Sequence, residues 1–297
     1  MPISERRSVF VAGATGRFGA IVEILLARGH AVRAMTRDPS STDAVGLATA
    51  GAEVVRGDFD DPASIERAAA GVDAVFATGT AHKTGPDGEL RHGRNLADAA
   101  AAAEVPHLVY SSGDGASPDS SLPLFRAKHQ VEQRIRSLPI AHTILAPVYF
   151  MENLFNPWNL PALQAGVFPS PIPIELPLQQ VAIADLVRVA TIAIERPSEF
   201  AGQRITIASD ELTGEQAASA LSRVLGRKIT ADRVHVDQPG LLALFAWLQE
   251  IRPKVDIATL HRRYPEVDWH DYETWVRSER ERLRAFCRRE PAGAEVT

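Results

Sequence analysis

Gly13, Gly16 and Gly19 stand three residues apart in VFVAGATGRFG, between an apolar run and a stretch with helical periodicity. Glycines in that context suit the backbone of a phosphate-binding loop. Gly13 permits a tight turn, Gly16 lets the backbone approach a pyrophosphate, and Gly19 lets the following helix pack closely on the strand. The helix start then directs free N–H groups and the positive end of its dipole at phosphate oxygens. A purely structural turn is the competing reading, and the strand–loop–helix setting weighs against it.

The end of the second apolar run selects between dinucleotides. An acidic residue there would bind the adenosine ribose 2′-hydroxyl of NAD, but AVRAMT ends in Thr36 and is followed by Arg37. A guanidinium suits a 2′-phosphate, and Arg17 in the glycine loop can assist, so NADP(H) is favoured over NAD(H). Asp38 follows directly, but Pro39 starts a turn that should aim its carboxylate elsewhere. Asp58 and Phe59, after the third run, are candidates to flank adenine.

Other polar residues compete with structural roles. Ser111 and Ser112 end the fifth run and can hydrogen-bond a substrate oxygen. Tyr149, Phe150, Phe155, Trp158 and Phe168 suggest an apolar pocket for a hydrophobic or aromatic substrate, while an interdomain core explains them equally well. Tyr149 either offers its phenol to that site or packs against its loop. Asp185 reads as a helix cap. His82 and His92 lack metal-ligand spacing, so no metal is expected. Cys287 is the only cysteine, which rules out an internal disulfide.

The elements that must position these residues alternate. SVFVAG, AVRAMT, AEVVRG, VDAVFAT, HLVYSS and HTILAP read as strands apolar at nearly every position, as strands covered on both faces are. Helical patterns such as RFGAIVEILLARG and RNLADAAAAAE lie between them, with Gly29, Pro62 and Pro106 marking boundaries. The fold expected is α/β: a Rossmann-type doubly wound parallel sheet over residues 1–150, with a smaller C-terminal α/β substrate region over 151–290 that shares parts of the sheet, and a loose tail over 291–297. After Pro147, PVYFMENLFNPWNLP and GVFPSPIPIELPLQQ are rich in proline and aromatics and read as loops.

Composition narrows the class. The net charge of −5 argues against a generally basic nucleic-acid-binding surface. No apolar run approaches the ~18 residues that suggest a membrane span, and the first residues show no secretory pattern, so a cytoplasmic protein is expected. Trp247, Trp269, Tyr272 and Trp275 in the late helices either close the cleft or form a homodimer surface.

Taken together, GATGRFG, AMTRDP, GDFDDPASIERAAAGVDAVF, LVYSS, FRAKHQVEQRI, HTILAPVYFMENL and VAIADLVRVATIAIERPSEFAGQRITIAS resemble the NmrA-like branch of the atypical short-chain dehydrogenase/reductases, which includes isoflavone-reductase-like and triphenylmethane-reductase-like enzymes and NADP-sensing regulators. The resemblance implies that Gly13, Thr15, Gly16, Arg17, Phe18, Arg37, Asp58, Phe59, Thr78, Gly79, Lys128 and the stretch Pro147, Val148, Tyr149, Phe150 approach the dinucleotide. One departure stands out. The superfamily's usual catalytic tyrosine lies four residues before its lysine, and here that position is Leu124, so there is no YxxxK motif.

Two functions follow. The first is an NADPH-dependent reductase of a small organic substrate, with Lys128 holding ribose hydroxyls or assisting proton transfer, Ser112 contacting substrate, and Tyr149 replacing the missing tyrosine if it faces the ring. The second is a non-catalytic NADP(H) sensor acting through a protein partner.

Overall fold

The computed structural model describes residues 5–79, 81–251 and 254–288, without the side chains of 81–83; the expected tail lies outside them. The first compact unit runs up to Pro147 and takes in Leu186–Thr206, and the second comprises Val148–Asp185 with Ile207 onward. The chain therefore passes between units three times rather than once near residue 150.

In the first unit β1 (Ser8–Val11), α1 (Ala20–Ala27), β2 (Ala31–Thr36), α2 (Thr42–Thr49), β3 (Glu53–Arg56), α3 (Pro62–Ala69), β4 (Ala74–Thr78), α4 (Ala81–Ala102), β5 (His107–Ser111), α5 (Pro123–Ser137) and β6 (Ala141–Pro147) alternate as expected. Val9, Phe10, Val75, Phe76, Leu108 and Val109 are fully buried, so β1, β4 and β5 are covered on both faces, whereas AEVVRG, expected to be buried likewise, forms the edge strand β3 and stays partly exposed. The sheet order is β3-β2-β1-β4-β5-β6, with parallel pairing throughout this stretch. Winding reverses between β1 and β4. The crevice beyond the carboxyl ends of those two strands is where such sheets bind ligands.

Local chemistry sets the boundaries. Gly29 takes φ +85 just past α1, and the Asp61 side chain caps α3 by accepting from Ser64 N, with Pro62 in the first turn. Helix α4 begins well before the expected RNLADAAAAAE, because Gly85 (φ 67, ψ −171) breaks the run and Pro86 restarts it. A Cβ at Gly93 would stand 2.5 Å from Val131 Cγ2, so its absence lets α4 approach α5.

The second unit contributes β7 (Tyr149–Phe150), α6 (Leu160–Gln164), β8 (Val167–Ser170) and β9 (Leu178–Val181). Helices α7 (Ile183–Glu195) and α8 (Pro197–Phe200) lead to β10 (Arg204–Ile207), which adds a seventh strand beyond β6. Then come β11 (Asp210–Leu212), α9 (Gly214–Leu225), β12 (Thr230–Arg233), α10 (Pro239–Ile251), α11 (Ile257–Arg263), α12 (Tyr272–Ser278) and α13 (Arg280–Cys287). The proline-rich stretch expected as loops thus holds three short strands. Proline is tolerated in β8 because, among the described residues, it pairs with β12 alone, which leaves one edge free of the ladder. Among the described residues no helix is long and apolar enough to cross a membrane.

Asp185, expected to cap a helix, lies within the first turn of α7 and turns its carboxylate to other elements. Its carboxylate accepts from Ser209 Oγ at 2.6 Å and pairs with His270 Nδ1 at 2.6 Å, while Glu152 Oε1 accepts from the Ile183 N–H at the start of α7. Tyr272 and Trp275 are buried at 1% and 2% exposure, which removes them from any surface for a second copy.

A buried histidine gives the first unit an acid-sensitive joint. Thr143 Oγ1 donates to Phe200 O, so His107 Nε2 must donate to Thr143, leaving Nδ1 buried without a partner among the described residues. Burial chiefly, with the Arg7 charge, lowers the His107 pKa to about 4. The unfolded chain takes up this proton near the ordinary value of about 6.5, so acid favours unfolding. Stability should be intact above about pH 6.5 and fall toward about pH 4, with up to ~3 kcal/mol from this residue. Denaturant unfolding of wild type and His107→Gln at both ends of that window tests this: the variant should lose less on acidification, and equal losses would exclude His107 as the cause.

Candidate active site and cofactor cradle

The glycine loop is two successive turns. Gly16 N donates to Gly13 O and Gly19 N to Gly16 O, each at 3.0 Å, and α1 begins at the next residue. Gly13 holds φ +79, and a Cβ on Gly19 would stand 2.5 Å from the Ala14 carbonyl oxygen. Thr15 and Phe18 are half-buried in this loop, and Arg17 is exposed. The vacant side-chain position of Gly13 lies 3.8 Å from Thr78 Cγ2 and 3.9 Å from Phe59 Cζ, so the ends of β1 and β4 and the segment after β3 converge there.

Phe59 is held from behind. Its ring stacks on His92 with centroids 5.5 Å apart, its carbonyl accepts from Asn95 Nδ2, and His92 Nε2 lies 3.0 Å from Asp60 Oδ1. His92 is thus committed to structure, whereas the side chain of His82 lies outside the described residues. Asp58 accepts from the Asp60 N–H within its own turn.

At the end of β2, Arg37 is exposed. The Asp38 carboxylate folds back as expected, accepting from Ser40 N at 2.9 Å and Ser40 Oγ at 2.5 Å. Those bonds first, and the Arg56 charge last, hold its pKa below the ordinary value. Arg56 lies opposite Thr36 in the parallel register, and the sequence reading passed over it. Its signal was available: a basic residue closing the third strand.

The ends of β4 and β5 carry an ionic cluster. Lys128 Nζ donates to Glu89 Oε1 at 2.7 Å, Tyr110 Oη donates to the same oxygen at 3.1 Å, and Glu89 is fully buried. A Cβ on Gly79 would come within 2.0 Å of that oxygen, so the glycine makes room for the carboxylate. The Lys128 stem passes Gly113, 3.5 Å from where its Cβ would be. Tyr110 keeps its proton far above the ordinary range because of burial and then the Glu89 charge.

Beside it lies a second buried carboxylate, Glu132, one helical turn after Lys128. It accepts from Ser112 Oγ at 2.6 Å, Arg136 at 2.8 Å and Arg204 Nε at 3.1 Å. Ser112 therefore spends its proton on Glu132 and can offer a ligand only its lone pairs. Ser111 is buried opposite Thr78 in the β4–β5 register, and Pro147 ends β6, buried.

Tyr149 and Phe150 belong to the second unit, where β7 runs beside β9. The expected aromatic set divides. Phe155 packs edge-on against Trp275 and Phe286 in that unit's core, while Tyr149 and Phe168 line a pocket together with Tyr272.

A dinucleotide fits the first unit on two counts: three glycines shape the turns of the loop at the start of α1, and the Asp38 carboxylate next to Arg37 in sequence is engaged by Ser40. Comparison with known proteins agrees. The NmrA-like family model matches residues 5–269. A (4-alkanoyl-5-oxo-2,5-dihydrofuran-3-yl)methyl phosphate reductase of Streptomyces griseus is 33% identical over 77% of this chain and 78% of its own length. An NAD(P)H azoreductase of Xenophilus azovorans is 28% identical over 77% and 78%. The structure of NmrA, a negative transcriptional regulator in complex with NADP, superposes with a TM-score of 0.76 over 94% of this chain and 97% of that one at 21% identity, a likeness of fold. With its glycine loop, sheet order and sequence all in agreement, the chain belongs to the NmrA-like family.

Proposed function

We propose that the chain is an NADPH-dependent reductase of a small, hydrophobic or aromatic organic substrate. The class, NAD(P)H-dependent oxidoreductase, is that of its reductase relatives. The observation that carries the reading is the Lys128–Glu89 pair at the ligand-binding end of the sheet. An ammonium has three donors, and among the described residues Glu89 takes one, which leaves two for ribose hydroxyls or a substrate oxygen.

Gly13, Thr15, Gly16, Arg17, Phe18 and Gly19 cradle the pyrophosphate, Arg37 with Arg17 and Arg56 meets the 2′-phosphate, and Asp58 and Phe59 flank adenine. Thr78, Gly79, Ser111 and Pro147 approach the nicotinamide half. When bound, NADPH supplies hydride. As negative charge grows on the acceptor atom, Lys128 opposes it and gives up a proton, which solvent replaces. Glu89 is a positioning residue that fixes the ammonium. Ser112 holds the end of β5 through Glu132.

Two experiments test this. Arg37→Asp should weaken NADPH binding about 10- to 100-fold and leave NADH within about threefold, since charge-assisted hydrogen bonds contribute roughly 1.5–3 kcal/mol. Equal losses would remove the 2′-phosphate assignment. For catalysis, bound NADPH absorbance is followed while enones, quinones and azo compounds are added to wild type, Lys128→Ala and Glu89→Gln. Lys128→Ala should lower kcat by about 10²-fold or more, and Glu89→Gln should lower kcat while NADPH still binds. Tight NADPH binding with no oxidation by any acceptor would favour the redox sensor.

A further inference from the structure

Asp38 stands where an acid would oppose a 2′-phosphate. It is the acidic residue nearest the end of β2, and acids at that end of a dinucleotide fold accept from the ribose 2′-hydroxyl of NAD. Its side chain is exposed and keeps its charge, because the Ser40 bonds first and the Arg56 charge last hold its pKa below the ordinary value. Among the described residues neither Arg37 nor Arg56 is in an ion pair, yet the Arg56 charge is felt at Asp38, so a carboxylate released there has a guanidinium within electrostatic reach.

One residue holds that carboxylate. Ser40 N donates to Asp38 Oδ1 at 2.9 Å, and Ser40 Oγ donates to the same oxygen at 2.5 Å. Any residue but proline could supply the backbone bond, whereas the hydroxyl bond, short and charge-assisted, belongs to the serine. The backbone of Asp38 is secured by other groups. Its N–H donates to Thr36 Oγ1 at 3.2 Å and its carbonyl accepts from Ser41 Oγ at 2.9 Å, while Ser41 also caps α2. Loss of the Ser40 hydroxyl therefore loosens the carboxylate and leaves the turn in place.

We propose that Ser40 determines which dinucleotide the chain takes: its hydroxyl holds the Asp38 carboxylate clear of the adenosine ribose, so that the arginines meet a 2′-phosphate unopposed. This rests on the 2′-phosphate assignment above and deepens it. A carboxylate freed from the hydroxyl has two other uses, accepting from a ribose 2′-hydroxyl and neutralising a guanidinium. Both favour NADH, the first by a new hydrogen bond and the second by withdrawing positive charge from the 2′-phosphate. Ser40 acts through Asp38 and is a positioning residue.

The test needs no turnover. Calorimetric titration of NADPH and NADH into the full chain gives the ratio of the two dissociation constants for wild type, Ser40→Ala, Asp38→Ala and the double variant, with Tm recorded for each. Wild type should prefer NADPH. Ser40→Ala should shrink that preference about three- to tenfold, the yield of one hydrogen bond, by weakening NADPH and tightening NADH. Asp38→Ala should keep the preference or increase it, and adding Ser40→Ala to it should then change the ratio by less than about twofold. A serine that only shapes the turn would lower Tm or weaken both dinucleotides alike. A Ser40→Ala ratio equal to that of wild type, equal losses for both dinucleotides, or the same shift with and without Asp38 would overturn the Ser40 inference and leave the 2′-phosphate assignment standing. A wild type that does not prefer NADPH, or that binds neither dinucleotide, would overturn both.

Discussion

A carboxylate with no exposure to solvent must have its charge answered inside the fold, and Glu89 sets that constraint for the first unit. Removing one partner of such a pair strands the other charge, so the Lys128–Glu89 contact demands that α4 and α5 hold their spacing. Gly93 and Val131 meet that demand one turn further along each helix, where a missing side chain lets the helices close. Gly79 meets it at the end of β4, where a methyl group would displace the carboxylate. Backbone permissiveness at two glycines therefore becomes the fixed position of one ammonium.

The same face of α5 repeats the arrangement. Lys128, Glu132 and Arg136 recur at four-residue spacing, and Glu132 gathers Ser112, Arg136 and Arg204 about itself. Arg204 also donates to the carbonyls of Gly113 and Asp114, so the segment after β5 is tied to β10. Two buried carboxylates thus fix both sides of the loop along which the Lys128 stem lies. Their polar partners are shared, so the effects of substitutions here should not add.

Sequence made the scaffold readable because its signals are local. Strand burial shows as apolar runs, helix ends as Gly29 and Pro62, and the phosphate loop as three glycines in a defined setting. The turn that bonds the Asp38 carboxylate to Ser40 was readable for the same reason. Glu89 was not. It sits in GPDGELRHGRN, a stretch polar enough to read as a solvated surface, and only the approach of a second helix buries it. Glu132 in KHQVEQRI is hidden likewise. Strands β8 and β9 escaped because prolines mask alternation, and the burial of Tyr272 and Trp275 escaped because a late helix gives no sign of which residues it covers.

The missing tyrosine takes on a different meaning once Tyr110 is considered. Leu124 occupies the position four before Lys128, yet a phenol does reach the lysine's counter-ion from β5. It cannot replace a catalytic acid, for burial and the adjacent carboxylate both oppose its ionisation. Its proton is committed to Glu89, where it shares the negative charge and helps keep the carboxylate buried. A group that neither ionises nor faces outward serves as an anchor. Of the ion pair, only Lys128 reaches solvent, with 12% of its side chain open while its carboxylate partner has none. That asymmetry leaves the ammonium as the member of the pair that solvent or a ligand can reach, with Glu89 fixed behind it.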